Sequence, residues 1–316
     1  MRSFSAPTAI FVFLFSIYLL SYSGVPTSDD EHLYAAVSQN LVTGGAFEAN
    51  QLSGNQRLLG IYPRAGPLHP IIGALVIAVI RLIPQFGEFQ ALFFLAPLYT
   101  ALTAALIYHF ARREGFTKQT GLIAALGFGL ATIAWPYAQT YYREPLAMLL
   151  LFSAYMVLTS RANTPWKWAA FSLLLLGAAL TKLYVLLALP FFLIEIVRKN
   201  RAKFSWRSLA LAGLIMTAAV LLWWGLGLGN YTRLNANIWH VAIARAEQNL
   251  DELRSVEGLK ALAGMLISPG MGLLTYSPVL LIGTVPLFRQ RNSPDRNLMI
   301  PIGTLAAFLA GQLLIY

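Results

Sequence analysis

Nine long apolar runs dominate the sequence and limit the folds that are open to it. Apolar residues make up 57% of the 316 residues and charged residues 11%, with a mean hydropathy of +0.62. About 20 apolar residues are enough for a helix to cross the ~30 Å hydrocarbon core of a membrane. The pattern therefore predicts an all-α polytopic membrane protein. The runs are 8–22, 68–84, 89–111, 119–136, 145–160, 168–197, 208–228, 272–288 and 298–316.

Basic residues cluster between some of these runs, at 112–118, 161–167, 198–207 and 289–296. Together with Arg2, the clusters hold 14 of the 23 lysines and arginines. Cytoplasmic loops carry such an excess of cations, so we place all four clusters in the cytoplasm. The same rule accounts for the net charge of +10 without a nucleic-acid partner. The absence of cysteine excludes disulfides, thiol catalysis and zinc–thiolate sites.

This orientation places loop 23–67 outside the cell and loop 112–118 inside. An odd number of membrane crossings must therefore separate them, although two apolar runs lie between them. We therefore predict that 68–84, which follows Pro67 and begins Leu68-His69-Pro70, dips into or lies on the outer leaflet. The alternative is a full crossing that is followed by an external basic loop. The N-terminus resembles a secretory signal, but we favour an uncleaved first span because an acidic motif follows within a few residues.

That motif places three consecutive acids, Asp29, Asp30 and Glu31, at a membrane border, where charges are costly and commonly functional. Ser28 and Glu31 also fit a capping box for a helix from Asp29 to about Val42. Capping explains Glu31 and Asp29 as well as function does, whereas we favour a functional role for Asp30.

Two further candidates lie in later segments. Lys182 interrupts the apolar run 168–197 at a predicted helix junction, and an intramembrane lysine requires an anionic partner. The loop 135–145 carries three tyrosines, Arg143 and Glu144 on the same side of the membrane as Asp30. Glu144 precedes a proline at a helix start, where an acid also stabilises the helix dipole.

Four stretches together resemble the GT-C glycosyltransferases that use polyprenyl-phosphate sugars, a group that includes protein O-mannosyltransferases and lipid A aminoarabinose transferases. They are the Asp-Glu-x-x-Tyr of 30–34, the Pro-Leu-His-Pro within 62–70, the Arg-Glu-Pro of 143–145 and the Leu-Thr-Lys of 180–182. The resemblance extends to about residue 200. That family usually has aspartate where this chain has Glu144, and its members often run longer, so we expect a shortened or minimal member.

The resemblance implies a GT-C-like transmembrane helix bundle over residues 1–316, with external-loop helices in 23–67 and 229–267. It also implies transfer of a sugar from a polyprenyl-phosphate donor to a lipid, glycan or protein acceptor, outside a bacterial inner membrane. Asp30 would be the general base, Glu144 would orient the acceptor or assist Asp30, and Lys182 would neutralise the phosphate. The expected substrate-binding residues are Glu31, Tyr34, Arg64, His69, Tyr142, Arg143, Lys182, His240 and Arg245.

No cofactor is implied, and a divalent cation shared by Asp30 and Glu144 is an alternative that no ligand motif supports. The expected partners are the lipid-linked sugar donor and membrane lipids. A transporter or flippase is a competing interpretation, but the sequence shows one interrupted segment and no internal repeat. A non-catalytic membrane protein is the third interpretation.

The charge asymmetry predicts the topology of the chain. Single cysteines introduced at Thr120, Ser205 and Asn292 of this cysteine-free chain should be shielded from an impermeant external thiol reagent, whereas one at Asn50 should be labelled. The measurement is labelling of intact cells before and after permeabilisation. External labelling at position 120 would contradict the orientation and, with it, the leaflet-bound assignment of 68–84.

Overall fold

The computed structural model describes residues 5–44, 66–83, 85–160 and 164–182, together with isolated positions between 185 and 275. Within these residues the regular structure is helical and includes no strand, which confirms the all-α prediction for this part of the chain. The helices are α1 (Ala6–Leu20), α2 (Asp29–Thr43), α3 (Leu68–Ile80), α4 (Glu88–Phe93), α5 (Leu95–Arg113), α6 (Lys118–Leu130), α7 (Ala134–Ala138), α8 (Glu144–Leu158) and α9 (Pro165–Thr181).

Local chemistry explains where several helices begin. The predicted capping box opens α2: the Glu31 N–H donates to the Ser28 hydroxyl, and the Ser28 N–H donates to the Glu31 carboxylate. Thr117 caps α6 by accepting from the Thr120 N–H at 3.1 Å. A proline occupies the first or second position of α1, α8 and α9, where its missing N–H costs no intrahelical bond.

The helices form a bundle in which α5 contacts α1, α4, α6, α7 and α8, while α2 packs against α3 and α9 packs against α8. At one end of this bundle, Gln139 donates to the Tyr18 carbonyl at 3.3 Å and the Tyr18 hydroxyl donates to the Gly129 carbonyl at 2.9 Å. We call this the Glu144 end, after the first residue of α8. At the opposite end, Arg113 donates to the Met156 carbonyl at 2.7 Å, and we call that the Arg113 end.

Helix α3 has both of its ends at the Glu144 end of the bundle. Its first turn places His69 beside the carbonyl of Tyr141, which lies three residues before α8. Its last turn leads to Arg81, which pairs with Glu88 at the start of α4 at 2.6 Å. A helix with this placement does not run the length of the bundle, and the leaflet-bound position of 68–84 stays a prediction.

Apolar side chains lie both inside and outside the bundle. Small residues let α1, α5 and α6 approach closely, because Ala101, Ala104 and Ala125 are buried against Leu14 and Tyr18. Helices α4 and α5 follow each other almost without a break. Among the described residues, their combined segment Glu88–Arg113 is long and apolar enough to cross a membrane, while α1, α3 and α8 are shorter apolar helices. Large apolar side chains are exposed on the outer faces of α1, α3, α6 and α9, among them Val12, Phe13, Leu75, Val79, Leu122, Ile123 and Leu173.

Candidate functional site

The first turn of α2 is anchored by a buried carboxylate. Glu31 is fully buried, and its Oε2 accepts from the backbone N–H groups of Thr27 and Ser28 at 2.7 and 3.0 Å. The hydroxyls of the same two residues add contacts at 3.1 and 3.3 Å. A buried carboxylate is tolerated when donors surround it in this way. Because the side chain is enclosed and its acceptors are occupied, we reassign Glu31 from substrate binding to positioning.

The other Glu31 oxygen reaches across to the loop that precedes α8. Its Oε1 accepts from the Tyr141 N–H at 2.8 Å, while the Tyr141 carbonyl accepts from His69 Nε2 at 3.2 Å. The Tyr141 hydroxyl lies 3.1 Å from the hydroxyl of Ser38. We call Tyr141 with these three partners the Tyr141 clamp. Gly73 makes room for it, since a Cβ there would come within 2.1 Å of the Tyr141 hydroxyl.

The two predicted acids, Asp30 and Glu144, lie on the two segments that the Tyr141 clamp joins. Asp30 is exposed on the first turn of α2, and Tyr34 lies one turn later with its ring buried. Burial raises the pKa of the Tyr34 hydroxyl, Arg143 opposes that rise, and Asp30 and Glu144 add to it. Both acids therefore lie close enough for their charges to act on the same hydroxyl. Tyr142 also raises the pKa of Tyr34, and its ring centroid lies 5.8 Å from that of Tyr137.

Lys182 meets Glu144 at this end of the bundle. Helix α9 ends at Thr181, and the extended backbone of Lys182 follows, as the predicted interruption requires. Its Nζ lies 3.0 Å from Glu144 Oε1, and the lysine side chain is 14% exposed against 31% for the glutamate. Lys182 thus has the anionic partner that its position demands. Glu144 is the counter-ion of the lysine through Oε1, and its predicted role of assisting Asp30 or the acceptor stays a prediction.

His69 and Arg143 complete the cluster. The His69 ring is 1% exposed and lies 6.0 Å from the Tyr34 ring and 4.4 Å from the Tyr141 ring, measured between centroids. Burial lowers the pKa of His69 to about 4, so the ring is neutral at pH 7. The Arg143 guanidinium stacks over the Tyr34 ring, 5.6 Å from its centroid.

Three predicted site residues, Arg64, His240 and Arg245, lie outside the described residues, as does nearly all of loop 229–267. Within the described residues, no group of three His, Asp or Glu side chains is placed to hold a metal ion. A cleft of about 530 Å³ opens on another face of α2, beside His32, Gln39, Glu88 and Phe89, and contains none of the predicted site residues.

The residue that sequence reasoning missed is Tyr141. It stands next to Tyr142 in a loop of three tyrosines, and nothing in the sequence separates the buried clamp residue from its half-buried neighbour. Its role depends on hydrogen bonds to residues 72 to 110 positions away in the chain. A long-range contact of this kind leaves no local sequence pattern.

We expect Glu31→Gln to destabilise the fold while Asp29→Asn does not. The glutamine NH₂ must face either the Tyr141 N–H or the N–H groups of Thr27 and Ser28, so buried donors lose their acceptor at a cost of at least about 2 kcal/mol. Asp29 is exposed in the same helical turn and serves as the matched control. Thermal unfolding in detergent measures the difference, and equal melting temperatures for the two variants would contradict the clamp.

Comparisons of the chain with protein-family models, with curated proteins and with solved structures find no match.

Proposed function

We propose that this chain is a polytopic membrane glycosyltransferase that moves a sugar from a polyprenyl phosphate to an acceptor at the extracytoplasmic face. The membrane assignment is supported by the apolar helix Glu88–Arg113 and by the large apolar side chains exposed on the outside of the bundle. Arg112, Arg113 and Lys118 gather at the Arg113 end, which favours a cytoplasmic position for that end. The Glu144 end then faces outwards.

The observation that carries the proposal is that an acid and a cation from distant segments lie at the same end of the bundle. Asp30 on α2 precedes Glu31, which bonds the Tyr141 N–H, and Asp30 and Glu144 both raise the pKa of the Tyr34 hydroxyl. Lys182, 152 positions after Asp30, lies 3.0 Å from Glu144. The four stretches that resemble the GT-C enzymes include these two residues.

Lys182 is the candidate partner of the lipid phosphate. Its ammonium is oriented by Glu144 at 3.0 Å and is largely shielded from solvent, so its field is stronger than that of a surface lysine. Arg143, in the same cluster, supplies a second positive charge. Cations that are already in position stabilise the charge that develops on the departing phosphate without reorganising.

Asp30 is the candidate general base. An acceptor hydroxyl or amine attacks the anomeric carbon, and the bond from that carbon to the phosphate oxygen breaks. The bonding pair leaves with the phosphate beside Lys182, and the acceptor proton passes to the Asp30 carboxylate. One displacement of this kind inverts the anomeric centre. Because Asp30 is exposed in the first turn of α2, a bulky acceptor can reach it.

We expect Asp30→Asn to reduce sugar transfer by ~10²-fold or more, because asparagine cannot take a proton. The assay follows a radiolabelled sugar from a polyprenyl-phosphate donor into acceptors supplied by a membrane extract of the host cell. Asp29→Asn, one position away and also exposed, should transfer at nearly the wild-type rate, with both melting temperatures unchanged. Equal rates for the two variants would show that Asp30 only begins a helix.

A further inference from the structure

Three buried polar atoms of the cluster around Tyr34 lack a hydrogen-bond partner. They are His69 Nδ1, Arg143 Nε and Glu144 Oε2, and each is enclosed within the described part of the chain. Leaving a buried polar group unsatisfied is unfavourable, and native structures contain few such groups. Three of the seven unpaired side-chain atoms within the described residues belong to this one cluster, and that concentration points to a polar ligand here.

The residues that carry the three atoms are neighbours around Tyr34. The centroids of the His69 and Tyr34 rings are 6.0 Å apart. The Arg143 Cζ lies 5.6 Å from the centroid of the Tyr34 ring. Glu144 is the next residue after Arg143, and the charges of both act on His69. His69 is held in place by the Tyr141 clamp, and Glu144 is held by Lys182.

The hydrogen-bonding character of each atom follows from its neighbours. A carbonyl can only accept, so His69 donates from Nε2 to Tyr141, and Nδ1 of the neutral ring is left as an acceptor. Glu144 uses Oε1 for Lys182, so its Oε2 is a second acceptor. Arg143 Nε carries a hydrogen and is a donor. The site therefore offers two acceptors and one donor.

A phosphate does not match this set, because at neutral pH it has few or no hydrogens to donate to the two acceptors. Hydroxyl groups match it well, since each hydroxyl both donates and accepts. Neighbouring hydroxyls on a sugar ring would satisfy His69, Glu144 and Arg143 together. A site built to bond hydroxyls also rejects a ligand that lacks them, because its own polar atoms stay unpaired.

We propose that His69 Nδ1, Glu144 Oε2 and Arg143 Nε bind the hydroxyls of the transferred sugar and select the sugar by their positions. This inference rests on the proposed function, in which Lys182 holds the adjoining phosphate. It separates the donor site into a phosphate part at Lys182 and a sugar part at His69, joined by Glu144, which contacts Lys182 through one oxygen and the sugar through the other.

The test compares the affinity of the purified protein for a sugar-free polyprenyl phosphate with its affinity for the same lipid carrying each of several hexoses and pentoses. Wild-type protein should bind one sugar-bearing lipid more tightly than the sugar-free lipid. His69→Gln keeps an amide that can donate to the Tyr141 carbonyl but removes the acceptor at the Nδ1 position. It should therefore lose about fivefold to tenfold of the affinity for the sugar-bearing lipid and none for the sugar-free one.

Arg143→Lys is the second variant, because it retains the positive charge and lacks the Nε–H. It should lose a similar factor for the sugar-bearing lipid alone, whereas Lys182→Met should weaken both lipids by the same factor. If both lipids bind wild-type protein but neither His69→Gln nor Arg143→Lys changes the preference for the sugar, the inference is wrong and the proposed function stands. If wild-type protein binds neither lipid, the proposed function fails as well.

Discussion

A buried carboxylate, that of Glu31, holds the Glu144 end of this protein in one arrangement. Through one oxygen it closes the capping box of α2, and through the other it holds the backbone N–H of Tyr141. Asp30 is the residue before Glu31, and Arg143 and Glu144 follow shortly after Tyr141. The Glu31 side chain thus joins the first turn of α2 to the segment that precedes α8. This link sets the spacing between Asp30 and the charged residues Arg143 and Glu144. A buried carboxylate that accepts several hydrogen bonds is costly to displace, so this link is rigid.

The two ends of the bundle carry different sets of charged residues. The Arg113 end carries Arg112, Arg113 and Lys118, which suit a cytoplasmic surface. The Glu144 end carries an exposed acid and a lysine that is already paired with Glu144. Under the proposed function, a lipid phosphate that approaches Lys182 meets a cation held in position, so little side-chain entropy is lost when it binds. Preorganised charge of this kind would lower the barrier to the proposed sugar transfer.

The sequence predicts the parts of this site that depend on local pattern and leaves out those that depend on distant contacts. Apolar periods locate the helices, the Ser-x-x-Glu spacing predicts the start of α2, and the isolated polar residue Lys182 marks the end of α9. Charge counting predicts that 68–84 does not cross the membrane, and that stays a prediction. By contrast, the partner of Lys182 and the clamp residue Tyr141 come from loops whose composition fits several roles. Glu144 illustrates the difference. Its position at the start of a helix can be predicted from the sequence, whereas its pairing with Lys182 depends on how the helices pack.

Under the proposed function, the Glu144 end binds a lipid-linked phosphate through Lys182. Native mass spectrometry of the protein purified in mild detergent, with identification of the lipids it retains, detects this binding without a transfer assay. Wild-type protein should carry a polyprenyl phosphate, with or without its sugar, and Lys182→Met should lose that species while keeping bulk phospholipids. Retention of bulk phospholipids alone, with the same spectrum for both proteins, would contradict the account.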